Sequence, residues 1–250
     1  MIAYIIAIVV GLLIGLLGSG GAIVAIPAFI YLANYTPKEA STTSLILVTV
    51  SAIIATLGYS KKKQITYKDS AVFAVTGIIG SFIGTVLNKS ISDTVLLGLF
   101  AGVLFFAAFS MINQTRLSNS RLLQKTKTSG NNVFTVITIG LIFGFVTGLL
   151  GVGGGFLIVP LLVIVLHYEM GFAVGTSVTI IAFNALVSLG FRATDLDISP
   201  SIIIPLGACA VIGALAGMAL HERVNQTVVK KIFIVLLLLL GTYTLIDTFI

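Results

Sequence analysis

The sequence predicts an all-α fold: a polytopic transmembrane helical bundle of two homologous halves, arranged as inverted repeats, each starting with a Gly-interrupted helix that is broken or re-entrant. Three observations lead there. The 250 residues are 58% hydrophobic and only 9% charged, with a mean hydropathy of +1.17, whereas a soluble domain carries roughly 25% charged residues. The charges fall in short polar intervals between apolar stretches, which leaves room for helices of about 20 residues, the length that crosses a ~30 Å hydrocarbon core. Finally, a glycine-rich pattern occurs twice. A β-barrel would alternate apolar and polar residues over ~10-residue segments, and runs such as Ile232 to Leu240 or Ile137 to Phe145 do not alternate.

Apolar segments are expected near residues 2 to 33, 41 to 58, 70 to 88, 93 to 112, 133 to 166, 171 to 190, 200 to 220 and 228 to 249. Four pair with four. An offset of 133 carries Gly15-Leu16-Leu17-Gly18-Ser19-Gly20-Gly21-Ala22-Ile23-Val24-Ala25-Ile26-Pro27 onto Gly148-Leu149-Leu150-Gly151-Val152-Gly153-Gly154-Gly155-Phe156-Leu157-Ile158-Val159-Pro160 without a gap. The same offset matches Thr43-Ser44 to Thr176-Ser177, and Gly80 and Gly84 to Gly213 and Gly217. Such self-similarity marks an internal duplication. It divides the chain into a first transmembrane repeat, 1–112, a basic cytoplasmic linker, 113–132, and a second transmembrane repeat, 133–250.

Each half opens on a segment too long for one span. Residues 2 to 33 would make a helix of about 48 Å at 1.5 Å per residue. Gly18, Gly20 and Gly21 weaken a helix there by about 1 kcal/mol each, and Pro27 removes a further backbone donor. A break is expected, and the peptide groups it frees must be buried in protein or line a polar cavity. Paired interruptions at matching positions point to a binding site. The segment from Met1 has no basic n-region, so it reads as part of the fold rather than a signal peptide.

The net charge of +6 reflects membrane orientation rather than nucleic-acid binding, because the basic residues cluster in loops between spans. With Lys61, Lys62, Lys63, Lys68, Arg116, Arg121, Lys125 and Lys127 on the cytoplasmic side, single crossings by the glycine segments give nine Lys/Arg inside and five outside. If each glycine segment folds back or crosses twice, Arg223, Lys230 and Lys231 join the inside and Arg192 leaves it, for eleven against three. The second arrangement obeys the positive-inside rule better, and it makes the halves inverted repeats.

The glycine motifs admit two readings: close helix packing, or a concave nest of backbone N–H groups that holds an anion at the start of a helix. On the second reading Gly18, Ser19, Gly20 and Gly21 of one half would stand opposite Gly151, Gly153, Gly154 and Gly155 of the other, with Pro27 and Pro160 as structural helix breaks. Thr43, Ser44, Thr176 and Ser177 follow a polar turn, and either cap their helices or present hydroxyls to the same anion. Asn184 is an interhelical hydrogen bond or a solute contact. His167 and His221 are expected in solvated turns near segment ends. Cys209, the single cysteine, excludes an internal disulfide and reads as a small buried hydrophobe. No acidic residue falls at the centre of a span, so no proton relay of carboxylates is expected. Nor can a nucleophile–base pair be assembled inside the bilayer, so the chain is not read as an enzyme and no metal or other cofactor is expected.

The two glycine motifs, with the duplicated halves and the basic central loop, make the sequence resemble the sulfite exporter TauE/SafE family over essentially its whole length. The first copy departs from the pattern where Ala22 stands for the third glycine of a Gly-Gly-Gly run. The resemblance implies a permease for sulfur-containing anions such as sulfite or sulfonates, in the bacterial cytoplasmic membrane, whose partners are a small anionic solute and the lipid bilayer. The alternative is a non-transporting membrane subunit that uses its glycine motifs to pack helices or dock a partner.

Overall fold

A computed structural model describes residues 1–88, 93–118, 133–150, 155–191 and 200–249. Among the described residues there are ten α-helices and no strand. They are α1 Ile2–Leu17, α2 Gly20–Ala33, α3 Pro37–Lys61, α4 Tyr67–Asn88, α5 Asp93–Ser118, α6 Val133–Leu150, α7 Gly155–Ile164, α8 Met170–Phe191, α9 Pro200–Arg223 and α10 Gln226–Phe249. Six contain stretches long and apolar enough to cross a membrane: α3, α4, α5, α8, α9 and α10. By contrast α1, with 16 residues, and α2, with 14, reach only about 24 and 21 Å.

The expected capping role of the Thr-Ser pairs needs correction. Helix α3 starts earlier than the apolar pattern suggested, because Pro37 supplies a preset first-turn φ and Thr36 and Glu39 form a reciprocal capping box. The Thr36 amide donates to Glu39 Oε2 over 2.9 Å, and the Glu39 amide donates to Thr36 Oγ1 over 3.4 Å. Thr43 and Ser44 therefore lie about two turns inside α3, and Thr176 and Ser177 equally far inside α8.

The chain forms two compact units, and each draws on both sequence halves. One comprises Met1–Ser70 with Gly171–Gln226; the other comprises Ala71–Met170 with Thr227–Ile250. Within the first, α1 lies against α9. A Cβ on Gly11 would strike the Ala210 backbone and one on Gly15 the Ala214 backbone, while Gly213 and Gly217 press on Ile8 and Leu12. Within the second, α6 lies against α4 in the corresponding register: Gly144 on Gly77, Gly148 on Ser81, Gly80 on Leu141 and Gly84 on Phe145. The offset of 133 turns one set of glycines into the other. The first helix of each half thus packs on the fourth helix of the opposite half, through glycines that let backbones meet where no hydrophobic force drives helices together in lipid.

Burial repeats as well. In both α3 and α8, 56% of the apolar span is buried, against 28% in both α5 and α10. The outer helices expose large apolar side chains such as Phe106, Phe109 and Leu239, a surface suited to acyl chains rather than water.

Candidate solute site

The first glycine motif forms the tip of a helical hairpin. Helix α1 ends because Gly18 adopts the left-handed conformation, φ 80°, while its amide donates to the Ile14 carbonyl over 2.9 Å; glycine reaches that conformation at the least cost because it has no Cβ. Ser19 precedes α2 without a side-chain cap bond to it. The chain then folds back: Gly21 packs on the Val10 carbonyl and the Ile14 side chain. At the other end Tyr4 of α1 and Leu32, Asn34 and Tyr35 after the return share the lining of one cavity of about 480 Å³. Pro27 lies inside α2, well past the point where the helix resumes, and Pro160 lies inside α7.

Ending a helix inside a low-dielectric bundle strands its last carbonyls. Three of them are met by side chains from other helices. Tyr59 Oη donates to the Gly15 carbonyl over 2.8 Å, and Ser177 Oγ donates to the Gly18 carbonyl over 3.2 Å. His221 Nδ1 lies 2.9 Å from the Leu16 carbonyl; a carbonyl can only accept, so this nitrogen carries the hydrogen. Tyr59 and Ser177 are fully buried and His221 is 7% exposed. The Tyr59 and His221 rings meet edge to face at 5.6 Å, and Lys62 Nζ sits 5.2 Å from the Tyr59 ring centre. His221 is thus not in a solvated turn: it belongs to the last turn of α9 and is buried because it completes the end of α1. His167 is exposed, as read.

The hydroxyls of the Thr-Ser pairs stand out against the other threonines. Thr42, Thr49, Thr56, Thr76 and Thr179 return their hydroxyls to the carbonyl four residues earlier, the usual way to hide one in an apolar helix. The matched pair Thr43 and Thr176 does not. Thr176 Oγ1 accepts from the Thr66 amide over 3.3 Å, and Thr43 Oγ1 is buried with no hydrogen-bond partner among the described residues. Ser44 is buried in α3. Asn184, two turns beyond Ser177 and on the same face of α8, has its Oδ1 buried and likewise unpartnered.

Gly151, Gly153 and Gly154 lie outside the described residues. Gly155 is buried at the first position of α7, and the Gly148 carbonyl accepts from Thr85 Oγ1 over 3.4 Å. The sequence reading missed Tyr59, Gln64 and Thr66. Gln64 packs its amide on Gly171 and its carbonyl on Gly175, which brings the α3–α4 connection onto the start of α8; Gln64 Oε1 and Thr66 Oγ1 are buried with no hydrogen-bond partner among the described residues. Among the described residues no group of three His, Cys, Asp or Glu side chains could hold a metal ion.

Apolar helices of membrane length, packed through glycines around a hairpin with side-chain-satisfied ends, define a multi-pass helical membrane protein. The chain belongs to the Sulfite exporter TauE/SafE family, whose profile matches residues 3–244, a family of membrane transporters. It is 27% identical to the "Probable membrane transporter protein YunE" of Bacillus subtilis strain 168, covering 96% of each chain. It is 26% identical to a "Probable membrane transporter protein" of Xylella fastidiosa strain Temecula1, covering 94% of this chain and 91% of that one. It is 27% identical to the "Probable membrane transporter protein MJ0441" of Methanocaldococcus jannaschii, covering 90% and 87%. No solved structure matches the chain.

Proposed function

We propose that the protein carries a small anion, a sulfur-containing oxyanion or organosulfonate such as sulfite, across the bacterial cytoplasmic membrane. One observation carries this reading: at the hairpin tip the carbonyls of Gly15, Leu16 and Gly18 are engaged by side-chain donors. What the break offers a solute is therefore its other side, the first amides of α2, which have no acceptor within their own helix. Those amides and the positive end of the α2 dipole suit an oxyanion and need no charged side chain. The buried hydroxyl of Thr43 supports the same reading, since an unpartnered polar group in a native interior calls for a reason. Gly18, Ser19, Gly20 and Gly21, with Gly151, Gly153, Gly154 and Gly155 in the second copy, are the proposed binding residues, together with Thr43, Ser44, Thr176 and Ser177.

The family supports transport, and its description supports sulfite as one member of the substrate class. A re-entrant first hairpin leaves three membrane-length helices in each half, an odd number, which inverts the second half against the first. The eleven-to-three partition of Lys and Arg favours that arrangement. The repeats are 1–112 and 133–250, joined by the cytoplasmic linker 113–132, and rocking one against the other provides alternating access. An interior-negative potential drives an anion outward by ~2.3 kcal/mol per charge per 100 mV, so efflux needs no second ion as an energy source.

The test is a ligand screen by thermal shift on purified protein, with sulfite, thiosulfate, short sulfonates, carboxylates and neutral solutes. A ligand that binds only the folded form raises the melting temperature. The reading expects a shift with sulfur oxyanions or sulfonates; a shift confined to neutral solutes refutes it.

A further inference from the structure

We propose that Asn184 is a further solute contact, a station in the middle of α8 where a neutral carboxamide meets the oxyanion on its way past the hairpin tip. The inference rests on the transporter reading and extends it from the tip to mid-membrane depth. A polar side chain inside an apolar helix is costly unless its atoms are hydrogen-bonded, and the other polar residues of α8 near the tip obey that rule. Thr176 Oγ1 accepts from the Thr66 amide, Ser177 Oγ donates to the Gly18 carbonyl and Thr179 Oγ1 to the Gly175 carbonyl. Asn184 departs from it. Its Oδ1 is buried with no hydrogen-bond partner among the described residues, while the residue as a whole keeps some accessible surface. A carboxamide that joins two helices has both ends engaged. One with an unmet end and a way in is placed to receive a group from outside the chain.

The duplication points to the same depth. The offset of 133 carries Ser51 of α3 onto Asn184, so the position is polar in both copies. Ser51 is fully buried, yet its hydroxyl reaches only the Ala210 carbonyl at 3.5 Å, whereas Thr49 and Thr56 close bonds of 2.7 Å within α3. Helix α3 ends and α8 begins near one contact, where a Cβ on Gly175 would stand 3.2 Å from that of Tyr59, and more than half of each span is buried. Ser51 lies eight residues before that contact and Asn184 nine beyond it, about 12 and 14 Å away at 1.5 Å per residue. Asn184 is also seven residues past Ser177, and so about 10 Å from the tip along α8. Residues 40–60 of α3 and all of α1, α2 and α8 carry no charged side chain. An anion at this depth therefore meets dipoles only. A half-turn of the carboxamide about its last bond exchanges its oxygen for the –NH₂ group, two donors that suit an oxyanion oxygen. Such a contact is firm in a low dielectric and, having no fixed charge, still lets the solute leave.

Asn184→Leu separates a solute contact from a bond between helices, because the two roles move stability in opposite directions. The full-length protein is unfolded thermally without solute and then across a concentration series of sulfite and of methanesulfonate, so that affinity is read from the rise in melting temperature. Without solute, the Asn184→Leu protein is expected to melt about 2–4 °C above the wild type, since an unmet polar group has given way to an apolar one. Its affinity for whichever probe the wild type binds is expected to fall about tenfold or more, the loss of a hydrogen bond to a charged group. Should leucine prevent folding, Asn184→Ala, which makes no demand on space and gains helix propensity, carries the same two expectations. Thr179→Val, whose hydroxyl is satisfied within α8, should bind as the wild type does. Melting below the wild type in both Asn184 variants would identify a bond between helices and overturn the proposal, as would an affinity unchanged in either. A probe response that survives the substitution counts against Asn184 alone, whereas a wild type that responds to neither probe counts against the hairpin site and this station together.

Discussion

The hydroxyl of Ser177 donates to the carbonyl of Gly18 across 3.2 Å, joining positions 159 residues apart in the chain. One residue belongs to the duplicated Thr-Ser pair and the other to the duplicated glycine motif, but they come from opposite halves. A helix that stops inside an apolar bundle survives only if its freed carbonyls find donors, and here part of the supply comes from the other half of the sequence.

Removing that donor should be felt. Ser177→Ala leaves a buried carbonyl unsatisfied, which costs about 1–3 kcal/mol. Reversible unfolding in detergent should show a loss in that range; an unchanged stability would mean the Gly18 carbonyl finds another partner.

Tyr59→Phe tests the same principle with the ring kept in place. The Gly15 carbonyl loses its 2.8 Å donor while the edge contact with His221 survives, so a loss of about 1–3 kcal/mol is expected. Tyr59→Leu, which also removes the ring, should cost more. Equal losses for the two variants would show that the hydroxyl contributes nothing.

The glycine seams predict paired outcomes. Gly11→Val and Gly144→Val, at matched positions, each drive a side chain into an opposing backbone, that of Ala210 or of Gly77, and should lower the melting temperature alike, by the equivalent of about 1–3 kcal/mol or more. A Cβ at Gly98 or Gly102 of α5 meets nothing within 4 Å, so alanine there should be neutral or stabilise by up to about 1 kcal/mol through helix propensity. Thermal unfolding of the four variants checks this; an α5 variant as damaged as the seam variants would contradict the packing.

Much of the fold was legible because glycine is informative where helices touch. Gly80 and Gly84 aligned with Gly213 and Gly217 in sequence, and those residues occupy equivalent seams. Near Gly18 the sequence carries only the expectation of a break, since three glycines within four residues cannot hold an uninterrupted helix cheaply; that Gly18 is the residue in the left-handed conformation comes from the structure. Tyr59 and His221 were not legible. Their partner carbonyls lie 44 and 205 residues away, and a tyrosine near a lysine cluster or a histidine at a helix end looks like an interfacial residue until the tertiary structure brings α1 to it. The start of α3 was misplaced for a different reason: the Thr36-Pro37-Lys38-Glu39 capping signal was present in the sequence but lies ahead of the apolar run that marked the segment.

The inverted arrangement makes its own prediction. In a Cys209→Ala background, Lys38→Cys and His167→Cys lie at matched turns near the bases of the two glycine segments. Membrane-impermeant thiol reagents applied to intact cells and to inside-out vesicles should reach them from opposite sides. Labelling of both from one side would defeat the inversion.

The central claim is tested most directly by solute flux into and out of proteoliposomes under imposed membrane potentials, with sulfite and a short sulfonate as probes. The account predicts anion movement that reverses with the sign of the potential and is lost in a folded Gly154→Leu variant. A correctly folded, inserted wild-type protein that moves neither probe under any gradient would contradict it.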